Sequence, residues 1–143
     1  MTEDALSLKA MPKGLLEALQ AHGYSLSPLA FAGADMDKDG ELRSSYLLFS
    51  GESLVFALHS KRESTADFGA GYAEKTIHPK DLAEIYQWPL SELADPKILN
   101  QVVGGLLTID INGEETWICR FSSSRMREMR RFVDYLAHQL DPS

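Results

Sequence analysis

Gly104–Ser122 reads GGLLTIDINGEETWICRFS and leads without a break into a run that ends at Leu140. Two β-rich runs, Leu106 to Ile111 and Glu115 to Phe121, flank Asn112-Gly113. That dipeptide tolerates the two positive φ angles of a type I′ turn, so the stretch predicts a β-hairpin. Leu107, Ile109 and Ile111 share one face of the first strand, and Trp117, Cys119 and Phe121 share one face of the second. A sheet with one buried side follows. The period then changes: Met126, Met129, Phe132, Val133, Leu136 and Leu140 form a helical stripe, with Ser122, Ser123 or Ser124 as candidate N-cap. This amphipathic helix is expected to pack across the open end of a strongly bent antiparallel sheet.

Working back toward the N-terminus, Lys97 to Val103 reads as a strand that ends at the double glycine Gly104-Gly105, where a bend or bulge is expected. Asp95-Pro96 signals a turn after a short segment, Ser91 to Ala94. Leu82 to Gln87 is a strand with Ile85 facing in, and Lys75 to His78 a short strand or edge. Lys61 to Gly71, with Phe68 its one large apolar group, is an exposed loop. Its Gly69-x-Gly71 lacks the rest of a phosphate-binding motif. Glu41 to Phe49 and Ser53 to Ser60 form a further hairpin, and Leu29 to Ala34 a first strand. A short helix from Met11 or Pro12 to about His22, with Gly23 at C′, carries Leu15, Leu16 and Leu19 on one face and docks on this domain or on a partner.

Asp35, Asp37 and Asp39 followed by Gly40 open like a calcium-binding EF-hand loop. The twelfth position is Tyr46 instead of Glu, the ninth is the cation Arg43, and the flanks read as strands. A turn between strands is the expectation, not a metal site. His22, His59, His78 and His138 show no metal-ligand spacing, and the single Cys119 reads as a small core residue.

The 143 residues carry 14 basic and 21 acidic side chains, a net charge of −7, which argues against general nucleic-acid binding. The acidic N-terminus does not read as a signal peptide, and no run approaches a membrane span. Against that acidic background, Arg120, Arg125, Arg127, Arg130 and Arg131 are a local reversal of sign. Cations near a helix N-terminus oppose its dipole, which leaves three compensations: Glu128, Asp134 or a nearby loop; an acidic protein surface; or anionic lipid headgroups.

About seven strands and a closing helix resemble the pleckstrin-homology (PH) type of barrel or sandwich. More narrowly, Asp35–Glu41 leading to Tyr46–Phe49, Trp88-Pro89-Leu90 with Glu92-Leu93, and Gly105–Gly113 through Arg120–Ser122 are similar to the N-terminal domain of certain bacterial ABC exporters. The resemblance implies a PH-like domain at 28–141 after an N-terminal lead-in and helix at 1–27. It implies a non-catalytic regulatory role in the cytoplasm, at the inner face of the membrane. Its partners would be the membrane or nucleotide-binding domains of a parent transporter, or the anionic membrane surface. Neither a Walker A motif nor an ABC signature is present, so no ATPase activity, catalytic residue or cofactor is expected. The chain is then an excised piece of such a parent or a free-standing relative. The alternative function is a free-standing PH-like lipid- or small-ligand-binding module.

Overall fold

In the computed structural model, residues 11–38, 41–60 and 76–141 are described. The strands form two antiparallel sheets. The first takes β1 (Ala30–Lys38), β2 (Glu41–Ser50), β3 (Ser53–His59) and β4 (Leu82–Pro89) in that order, and the second takes β5 (Leu93–Asn100), β6 (Gly105–Ile111) and β7 (Glu115–Phe121). Two α-helices accompany them among the described residues: α1 (Leu15–Ala21) and α2 (Met126–Leu140).

The hairpin that anchors the sequence reading forms, with φ of 56° at Asn112 and 68° at Gly113. Its ladder pairs Ile111 with Glu115, so three residues, not two, stand outside it. Both Asn112 groups turn toward Glu92: the backbone N–H donates to the Glu92 carbonyl at 2.7 Å, and Nδ2 lies 3.4 Å from Glu92 Oε1. The turn is thereby fastened to the start of β5.

Leu107, Ile109, Cys119 and Phe121 face the first sheet as the alternation predicts, and Met129, Phe132, Val133 and Leu136 of α2 join them in one apolar cluster. On its other side the first sheet meets α1: Leu15, Ala18 and Leu19 pack with Phe31, Tyr46 and Leu48. A sheet covered on both faces needs nearly continuous apolar strands. Tyr46–Phe49 and Leu54–Leu58 supply them, and all nine residues are buried. The short helix therefore docks on its own chain. It begins at Leu15, one turn later than Pro12 suggests, after Lys13 bridges to Thr76 and the Ile77 N–H donates to the Lys13 carbonyl.

Four expectations are corrected. No closed barrel forms: among the described strands, no ladder joins the two sheets. At the free edge of β1 the Asp35 carboxylate bridges to the end of β7, accepting the Ser122 N–H at 2.7 Å, and the Gly33 N–H donates to Glu128 Oε2 of α2 at 2.8 Å. The calcium-like stretch is strand and not turn as far as Lys38, since the β1–β2 ladder continues to Lys38 opposite Glu41. Asp35 is a buried acceptor in that strand, Asp37 lies further along it, and Asp39 lies outside the described residues. Asp95-Pro96 is a bulge inside β5, with Asp95 at φ 54°, and so Leu93–Asn100 is one strand. Finally, no serine side chain caps α2. A 3-10 turn over Ser123–Arg125 precedes the helix, and the Ser122 hydroxyl lies 2.9 Å from that of Ser124. The expected loop Lys61 to Gly71 and the lead-in Met1 to Lys9 lie outside the described residues.

Candidate functional site

The five arginines do not share one environment. Arg125 is half-buried, with Nη1 3.8 Å from Glu128 Oε1. That pair is one of the compensations the sequence leaves open. Burial pushes the Glu128 carboxyl above its ordinary pKa, against the lowering by the Gly33 N–H and by Arg125. Arg127, Arg130 and Arg131 are exposed along the first half of α2, opposite its buried stripe, with Asp134 following on the same exposed side. Arg120 is exposed on β7 opposite Leu106, on the sheet face turned away from α2.

α2 meets the second sheet at the connection from β5 to β6. Arg130 Nη2 lies 3.5 Å from Asn100 Oδ1 at the end of β5. A Cβ at Gly105, the first residue of β6, would meet the Met126 side chain at 3.2 Å, so the first turn of α2 sits directly over this connection. The loop between is tight: Asn100 pairs with Gly105, and the Gln101 N–H donates to the Gly104 carbonyl at 3.1 Å. Gly104 has φ 78°, and a Cβ there would overlap the Phe121 carbonyl oxygen, so only glycine fits.

Val102 and Val103 stand at the tip. Val102 is fully exposed and Val103 is 75% exposed. Turn tips favour Gly, Asn, Asp, Ser and Pro, and two β-branched apolar residues there gain nothing from the fold. The apolar surface continues onto the outer face of the second sheet through exposed Leu99 and Ile118, with half-buried Leu106 between their strands. The expected strand Lys97–Val103 includes both valines, but β5 ends at Asn100. Their flanks, Asn100-Gln101 and Gly104-Gly105, carried the signal of a turn, and the β-propensity of valine outweighed it.

No family model matches the chain, and no curated protein matches it.

The surface thus combines an exposed apolar tip with cations on two sides, from α2 and from β7, on a chain of net charge −7. Chemically it suits a boundary that is anionic at its surface and apolar just beneath. No helix among the described residues is long and apolar enough to cross a membrane.

Proposed function

We propose that this chain is a non-catalytic PH-like accessory domain of the kind found in bacterial ABC exporters, acting in the cytoplasm where it rests on the anionic inner face of the membrane. The succession of four strands, three strands and a C-terminal helix supports the PH-like reading. The exporter context rests on the turn and strand motifs quoted above. The observation that carries the membrane reading is the seating of the Val102–Val103 tip beside the arginine-bearing half of α2, fixed by Arg130 on Asn100 and by Met126 over Gly105.

Each well-placed basic residue near an anionic surface contributes about 1 kcal/mol at physiological ionic strength, and the attraction fades beyond a Debye length of about 8 Å. Replacing Arg127, Arg130 and Arg131 together by Ala is therefore expected to lower the partition coefficient on phosphatidylserine-containing vesicles by roughly a hundredfold. Co-sedimentation with anionic and neutral vesicles at low and moderate salt reads this. Salt-sensitive binding to anionic vesicles that the triple change removes supports the proposal. Absence of binding at low salt overturns the membrane reading and directs the search to an acidic protein surface.

A further inference from the structure

The space between the sheets is filled beneath α2 and opens where β4 passes the start of β7. On β4, Tyr86 lies opposite Phe56, Trp88 opposite Leu54 and Glu84 opposite Leu58, and all three partners belong to the intersheet core. Glu84, Tyr86 and Trp88 therefore occupy the inward face of the strand, while Ile85 packs on the other side with the α1 cluster. An inward face that the second sheet covered would carry aliphatic side chains. This one carries a carboxylate, a tyrosine that is 43% exposed and a half-buried tryptophan.

Trp117 of β7 crosses from the other sheet and closes a cycle of four rings. Phe56 and Tyr86 stack at 6.2 Å, Tyr86 and Trp88 at 5.8 Å, and Trp117 meets Trp88 at 5.1 Å and Phe56 at 5.0 Å. The stacked rings run nearly parallel, and Trp117 stands at 57° and 66° to its neighbours, so two aromatic surfaces meet at a corner. Beside the rings lies a cleft of about 300 Å³ whose described lining is completed by Ile111, Glu84 and Glu115. The described lining holds two carboxylates and no cationic side chain. Glu84 Oε1 accepts the Tyr86 hydroxyl at 2.8 Å, and Glu115, the first residue of β7, is exposed.

The chemistry of the lining selects the sign of its ligand. Ring faces are negative and attract cations, and carboxylates add to that attraction and repel anions. A neutral apolar ligand would desolvate the exposed Glu115 carboxylate with nothing in return. The volume, at the lower end of ligand pockets, restricts the occupant to a compact group. We propose that this cleft binds a small organic cation, a methylated ammonium group seated against Trp117 and Trp88 with Glu115 as its counter-charge. The site is separate from the arginine surface and of opposite charge, and it goes beyond the membrane reading.

Trp88 and Trp117 are the chain's two tryptophans, so two indole N–H signals in a nitrogen–proton correlation spectrum report on the cleft. Titration with choline is expected to shift both signals saturably with a dissociation constant in the millimolar range. The neutral isostere 3,3-dimethylbutanol is expected to leave them in place. Glycerophosphocholine carries the same group beside a phosphate: if it binds as well as choline, the source is a lipid headgroup, and if it binds more weakly, the source is a free cation. Glu115→Gln, at an exposed position that does not threaten folding, is expected to weaken binding about fivefold. Trp117→Leu removes one wall and is expected to abolish it, with the Trp88 signal reporting the fold. Shifts that sodium chloride reproduces, that the isostere matches, or that Glu115→Gln leaves unchanged overturn the proposal.

Discussion

Glu128 shows how one side chain can serve both the fold and the surface. Its Oε2 accepts the Gly33 N–H on the free edge of β1, and its Oε1 faces Arg125. Burial is the dominant influence and raises its pKa from the ordinary 4.5. A carboxyl whose pKa is raised by folding favours the folded state fully below the ordinary value, and that contribution is lost as pH rises through the folded value. Glu128→Gln keeps an acceptor for Gly33 but cannot ionise. The variant's stability relative to the wild type is therefore expected to improve on going from pH 4 to pH 7, as read from denaturant midpoints at each pH. A pH-independent difference would mean that the carboxyl titrates normally. The sequence offers Glu128 as a partner for the arginines, but its burial and its bond to β1 were not legible there. Its partner Gly33 lies 95 positions away.

At the scale of elements, α2 holds the sheets together. Phe132 is fully buried between them, and Phe132→Ala is expected to cost about 3–5 kcal/mol by chemical denaturation. A loss below 1 kcal/mol would mean that the helix is not the closing element. This helix and the final hairpin were readable because local signals and burial agree: the six-residue stripe has one period, and Asn112-Gly113 has one comfortable conformation. The β5 bulge was not readable, since Asp95 adopts a positive φ inside a strand, where Asp-Pro ordinarily marks a turn. Nor was the inward face of β4. Alternation shows that Ile85 and Tyr86 face opposite ways, but only the placement of α1 and of the second sheet decides which side is which.

For the whole molecule, the two sheets, joined by the Asp35 carboxylate and through Glu128 of α2 instead of by a continuous ladder, leave distinct surfaces of opposite charge: arginines and valines beside the β5–β6 loop, rings and carboxylates between β4 and β7. The candidate site was half legible. The sequence displays the run of arginines, whereas the company of Val102 and Val103 depends on the chain returning from β7 into α2 over Gly105. Cys119 bears on how this is tested. It is buried, and burial pushes its thiol up to about 12, so it stays protonated and unreactive in the folded protein. A cysteine introduced at the loop tip can then be labelled alone.

The decisive measurement is the emission of a polarity-sensitive dye on Val102→Cys, recorded as phosphatidylserine-containing vesicles are added. If the loop tip and the arginines form one membrane-contact surface, the emission shifts to the blue, the shift reverses at high salt, and it disappears when Arg127, Arg130 and Arg131 are changed to Ala. An emission that stays that of a water-exposed dye while the protein binds the vesicles would contradict the account, because the domain would then meet the membrane through some other face.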